Sequence, residues 1–132
     1  MLIDTNVYIA AAQGNQQAAD ILQAATEIIV PAMVIAELRY GFLAGNQTDK
    51  NNQLLDKFLS QPQVDIALPT ISTINIYAEL AAYCRSKGRA LSHNDLWIAA
   101  LAKELGLQFA TFDQDFTILK TILRDKLLLL DQ

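Results

Sequence analysis

Four acidic residues, Asp4, Glu37, Asp95 and Asp113, each lie within or beside a short apolar run. Asp4 follows Met1-Leu2-Ile3, and Glu37 lies within Met33-Val34-Ile35-Ala36-Glu37-Leu38. Asp95 opens Asp95-Leu96-Trp97-Ile98-Ala99-Ala100, and Asp113 follows Gln108-Phe109-Ala110-Thr111-Phe112. A carboxylate beside a hydrophobic run is costly to desolvate unless it is paired or coordinates a cation. Four such residues in one small chain suggest a shared divalent metal site, and hence an enzyme. Clustered carboxylates raise one another's pKa, and a cation reverses this. Mg²⁺ prefers oxygen ligands and keeps several waters, and Mn²⁺ suits the same set. Such a site acidifies and positions water and offsets phosphoryl charge. Two ions roughly 3.5–4 Å apart would clamp both the attacking and the leaving oxygen. The chemistry that fits is phosphodiester hydrolysis.

Each acid also has a structural alternative. Asp95 could serve only as a first-turn partner of the helix dipole, worth roughly 0.3–1 kcal/mol. Glu37 could be an exposed helix residue or a partner of Arg39 or Arg85, and Asp113 a turn former. Asp115 could cap the last helix. It is their joint occurrence at element ends that favours the site. Other catalytic machinery is thin. The single histidine, His93, stands two residues before Asp95, where it could touch substrate or support the helix start. There is no Gly-x-Ser-x-Gly, no phosphate-cradling glycine loop and no Cys/His cluster for zinc. A phosphoaspartate enzyme would need a second acid in Asp4-Thr5-Asn6, and a receiver domain a lysine after the last strand. Neither is present.

The elements that must position these residues alternate. Candidate strands are 2–4, 27–30, 64–68, 109–111 and 127–130. The last reads as a buried parallel strand. Helical patterns cover 16–25, 33–44, 51–59, 72–86, 92–105 and 115–123. Gly45-Asn46, Gly88 and Gly106 supply helix stops, and Ser92 can cap the helix carrying Asp95 in a Ser-x-x-Asp variant of the capping box. Strands alternating with helices imply βαβ units and a parallel sheet. Ligands of such sheets bind beyond the carboxyl ends of the strands, where Asp4 and Asp113 would project.

The 132 residues suffice for one domain, read as 1–132, and 52% are hydrophobic. The only cysteine, Cys84, falls in a helical pattern and reads as a small buried hydrophobe. With no disulfide, no leader pattern and no apolar run long enough to cross a bilayer, the expectation is a cytoplasmic protein without a membrane partner. Ten Lys and Arg against 14 Asp and Glu give a formal charge of −4, and without the four site acids the balance is zero. Polyanion binding would then need metal or a local basic patch. Arg85, Lys87 and Arg89 could form one, or simply a solvated loop.

Four segments together resemble the PIN-domain ribonucleases and, at this length, the VapC-type toxins of bacterial toxin–antitoxin pairs. They are Leu2-Ile3-Asp4-Thr5-Asn6, Pro31-x-x-Val34-Ile35-Ala36-Glu37-Leu38-x-x-Gly41, Asn94-Asp95-Leu96-Trp97-Ile98-Ala99-Ala100 and Thr111-Phe112-Asp113-x-Asp115-Phe116. The resemblance implies a three-layer α/β/α sandwich with a central parallel sheet. It implies RNA cleavage by water activated with Mg²⁺ or Mn²⁺. Asp4, Glu37, Asp95 and Asp113 match the family's acids and would be catalytic and metal-holding. Thr5 and Thr111 match small hydroxyl positions expected to orient carboxylates by hydrogen bonds. Asn6 would neighbour the pocket, and Asp115 would be an extra acid or a helix cap. The resemblance also implies a homodimer and a cognate antitoxin whose Arg or Lys enters the acidic pocket. Tyr40, Phe42 and Leu43 sit where a partner helix would dock, although core positions are the first expectation for each. The rival reading is a catalytically inactive PIN-like scaffold that binds protein or RNA without cutting.

Overall fold

A computed structural model describes residues 1–131. Five parallel strands form one sheet: β1 (Leu2–Ile3), β2 (Ile28–Pro31), β3 (Val64–Ala67), β4 (Phe109–Thr111) and β5 (Leu127–Leu129). Their order is β3-β2-β1-β4-β5. The chain builds outward from β1 through β2 to β3, then crosses back to place β4 on the other side of β1. That reversal is the topological switch point, where a crevice opens beyond the strand ends. Leu2 pairs with Ile29 on one side and with Phe109 on the other. The Asp4 amide extends the ladder by donating to the Ala110 carbonyl at 3.0 Å. Asp4 therefore leaves β1 beside the turn that follows β4.

Seven helices connect the strands: α1 (Thr5–Ala12), α2 (Gln16–Ala24), α3 (Ala32–Ala44), α4 (Thr48–Leu59), α5 (Ile71–Ser86), α6 (His93–Leu105) and α7 (Lys120–Leu123). The core holds Leu2, Ile3, Ile28, Val30, Phe109 and Ala110 from the strands, and Ile98 to Ala102 from α6. This long buried stretch gives α6 a rigid seat, and Gly106 ends it in the left-handed conformation (φ 65°) that a glycine adopts without strain. Antiparallel α5 packs beside it. Thr70, which caps α5, donates to Glu104 of α6 at 2.6 Å, and the buried Thr73 hydroxyl donates to the other oxygen of the same carboxylate.

The parallel sheet, the caps by Ser92 and Gly106 and the buried Cys84 agree with the sequence expectations. Other expectations need correction. Helix α1 was not anticipated: Thr5-Asn6-Val7-Tyr8-Ile9 mixes β-branched, polar and aromatic residues without helical periodicity, yet it forms a helix with Asp4 as its cap. Residues 127–130 form no fully buried strand; β5 lies at the sheet edge and is half-buried, and only Leu130 beyond it is buried. The expected helix 115–123 is a 3₁₀ segment, Gln114–Leu119, running into the short α7. Phe116 anchors that segment, meeting Phe109 edge-to-face with ring centroids 4.9 Å apart. Tyr40 and Leu43, expected first in the core, are 75% and 73% exposed, while Phe42 is half-buried against the core. Among the described residues no helix is long and apolar enough to cross a membrane.

Candidate active site

The crevice is built outward from Asp4. This carboxylate is only 5% exposed, and it caps α1 by accepting the Thr5 amide at 2.8 Å. Its other oxygen accepts the Thr111 hydroxyl at 2.7 Å and the Asn6 side-chain amide at 3.3 Å. Burial pushes the Asp4 carboxyl above the ordinary range. The bonds from Thr111 and Thr5 pull it back, and the charges on Glu37 and Asp113 push it up again.

Thr111 is fully buried and serves three partners. Besides donating to Asp4, its oxygen accepts the Asp113 amide at 3.0 Å and the Asn6 amide at 3.4 Å. Asn6 closes the loop, its carbonyl oxygen accepting the Phe112 amide at 3.1 Å. These bonds tie the start of α1 to the turn after β4, so both strand-end acids are held by one network. Thr5 differs. Its hydroxyl oxygen is buried without a hydrogen-bond partner among the described residues.

Asp113 caps the 3₁₀ segment by accepting the Asp115 amide at 2.9 Å. The cap is thus Asp113 and not Asp115. Asp115 instead meets Arg89 in an exposed ion pair at 3.3 Å. Asp95 lies in the first turn of α6, and its amide donates to the Ser92 hydroxyl at 3.1 Å. No reciprocal bond completes a capping box there, so the carboxylate is not spent on the Ser92 backbone. Partial burial raises the Asp95 carboxyl; the Ser92 bond lowers it, and Asp4, Asp113 and Asp115 raise it further. Glu37, half-buried on α3, accepts the Asn94 side-chain amide at 3.0 Å. Neither Arg39 nor Arg85 is its partner, for Arg39 bonds Asp56 at 2.8 Å. The four acids thus come from four separate segments: Asp4 lies close enough to Glu37 and Asp113 to feel their charge, and Asp95 close enough to Asp4 and Asp113.

A cavity of about 610 Å³ adjoins the carboxyl edge of the sheet, lined by Asn6, Phe112, Asp113, Gln114 and Asp131, so that of the four acids only Asp113 borders it. Sequence reasoning missed Asp131, which carries no motif, and Asn94, whose position beside Asp95 gave no hint of its bond to Glu37. His93 is held by the Tyr77 hydroxyl on its Nδ1 at 2.5 Å, and Tyr77 stacks on Trp97 with centroids 4.2 Å apart.

A divalent cation fits this donor set. Among the described residues no three His, Cys, Asp or Glu side chains are drawn up to grip one ion. Mg²⁺, however, commonly takes one or two carboxylates and keeps its waters. A buried Asp4 destabilised as an anion gains from a nearby cation. The buried, unpaired Thr5 hydroxyl beside it is a spare polar group suited to such a hydrated ion.

A parallel sheet carrying four acids around its switch point defines a class of α/β proteins with an acidic site at the carboxyl edge. Within that class the chain belongs to the PIN domain family, whose model matches residues 1–121. It is 32% identical over 118 residues to Ribonuclease VapC5 of Mycobacterium tuberculosis, covering 89% of this chain and 86% of that protein. It is 30% identical over 105 residues to Ribonuclease VapC2 of Rickettsia felis, covering 76% of this chain and 77% of that one. Among solved structures, VapBC2 of Rickettsia felis bound to a promoter DNA fragment superposes with a TM-score of 0.82. That match has 25% identity and covers 99% of this chain and 97% of the other.

Proposed function

We propose that this chain is a Mg²⁺- or Mn²⁺-dependent endoribonuclease acting in the cytoplasm, and the toxin half of a toxin–antitoxin pair. The observation that carries the reading is the hydrogen-bond network at the switch point, in which buried Asp4 and the Asp113 amide share the Thr111 hydroxyl, while Asn94, next to Asp95, holds Glu37. The family membership and the names of the relatives, ribonucleases and a VapBC complex, support RNA as substrate and an antitoxin as partner.

Asp4 and Asp95 would be the direct ligands, with Glu37 and Asp113 reaching the ion directly or through water. When bound, the ion would acidify water and offset charge on the phosphoryl group. The chain's own residues do the positioning. Thr111 and the Thr5 amide fix both oxygens of Asp4. Asn94 fixes Glu37, and the Asp113 carboxylate is steadied by the Asp115 amide. Carboxylates held this way lose little orientational freedom on binding and can accept a proton from water in line with the scissile phosphate. An antitoxin Arg or Lys entering the same pocket would compete for these oxygens. A homodimer accompanies the reading, with the exposed Tyr40 and Leu43 available for protein contact.

The test is cleavage of a mixed pool of folded RNAs by partner-free protein, with Mg²⁺, with Mn²⁺ and with EDTA, beside Asp4→Asn. Cutting that needs metal and Asp4 supports the reading. A folded, metal-loaded protein that cuts nothing favours the inactive scaffold.

A further inference from the structure

An acidic crevice repels RNA, and the chain as a whole carries a formal charge of −4. Any RNA reaching the site needs cations near it. Their arrangement is uneven. Arg85 and Arg89 line one shallow groove of about 380 Å³ with Gly88, Ala90, Leu91 and Leu96, the last being the neighbour of Asp95. Arg89 bonds Asp115, whose amide bonds Asp113, so a short chain of contacts links this groove to the crevice. Two residues before Arg89, the Lys87 ammonium lies 5.6 Å from the centroid of the Tyr83 ring. The Tyr83 hydroxyl meets the Thr121 hydroxyl at 2.8 Å, and Lys120 precedes Thr121 at the start of α7. The basic side chains are exposed.

We propose that Arg85, Lys87, Arg89 and Lys120, with the Tyr83 ring among them, form a track for the RNA backbone leading into the crevice. This rests on the ribonuclease reading and names the surface that would receive its substrate. Basic side chains around an aromatic face suit single-stranded RNA, whose phosphates are neutralised while a base stacks. Arg89 is the entry residue. Its pair with Asp115 is long and solvent-exposed on both sides, hence weakly held. An incoming phosphate can take over the guanidinium bidentately.

The experiment measures anisotropy of a fluorescein-labelled single-stranded RNA of mixed sequence against salt. It uses Asp95→Asn protein in EDTA so that the RNA stays intact. For single strands each lost phosphate contact lowers the slope of log K against log salt by about 0.7, so Lys87→Ala with Arg89→Ala should lower it by about 1.4. Lys103→Ala with Lys126→Ala is the control. Lys103 lies in the last turn of α6, and Lys126 acts on the amino group of Met1 at the opposite sheet edge. The control should leave the slope unchanged, and neither pair should shift the unfolding midpoint. Asp115→Asn should tighten binding, and the gain should vanish when Arg89 is also Ala. No RNA binding, an unchanged slope, or an equal loss in the control overturns the track. A gain from Asp115→Asn that survives Arg89→Ala overturns the role of Arg89. Wild-type cutting with an unchanged slope sinks the track alone, whereas a reduced slope without any cutting sinks the ribonuclease reading alone.

Discussion

Replacing Thr111 by Val keeps the side-chain shape and removes one oxygen. That oxygen donates to Asp4 at 2.7 Å and accepts the amides of Asp113 and Asn6. A hydrogen bond to a charged group contributes about 1.5–3 kcal/mol, and an orphaned amide adds to the loss. The Asp113 amide is only partly buried and can turn to water. The net cost in metal-free protein should therefore be about 2–3 kcal/mol. For a chain of this size that is a fall in Tm of roughly 6–15 °C. The cost should also depend on pH. The Asp4 carboxyl is already raised by burial, so its contribution to stability is present below its unfolded pKa and lost as pH rises through the folded value. Without the Thr111 donor the carboxyl climbs further, and the penalty for ionising it deepens. Urea unfolding in EDTA at about pH 5 and about pH 8 should show the larger deficit at the higher pH. The matched control is Thr5→Val. The Thr5 oxygen is buried without a partner, so the change should be neutral or slightly stabilising. If Thr111→Val costs no more than Thr5→Val, or costs the same at both pH values, the proposed network does not hold Asp4.

Other substitutions separate chemistry from stability. Asp95→Asn relieves repulsion from Asp4, Asp113 and Asp115, so metal-free protein should gain up to about 1 kcal/mol near neutral pH while RNA cleavage is lost; urea unfolding beside the cleavage assay reads both. Asn94→Ala frees Glu37 and should lower cleavage by about 10–100-fold. Its bond is exposed, so unfolding should shift by less than about 1 kcal/mol. Phe116→Ala empties the fully buried contact with Phe109 and should cost about 3–5 kcal/mol in urea unfolding.

The parallel sheet was legible because short apolar runs alternate with helical patterns and the acids mark the strand ends. The geometry then accounts for each mark: Asp4 leaves β1, and Asp113 follows β4 at the switch point. Helix α1 was not legible, since Val7, Tyr8 and Ile9 show no helical stripe and the signal was a capping carboxylate already assigned to chemistry. Thr5 and Thr111 looked alike as small hydroxyls beside acids. Only packing separates one with three partners from one with none. Asp113 and Asp115, two residues apart, could each have capped the next turn. The choice follows from the Thr111 bond that fixes the Asp113 amide, whereas Asp115 reaches Arg89. The exposure of Tyr40 and Leu43 was hidden for a similar reason, because α3 is apolar on nearly every face and its composition does not say which side meets the sheet.

The most direct test is calorimetric titration of Mn²⁺ into RNA-free wild-type protein, Asp4→Asn and Asp95→Asn, in buffers of different ionisation enthalpy near pH 6. Only the ionised carboxylates can hold the ion, so any proton kept by the raised carboxyls of Asp4 and Asp95 should leave on binding, and either substitution should weaken binding sharply. Mn²⁺ that binds all three proteins equally, or binds none, would contradict a shared metal site at the switch point.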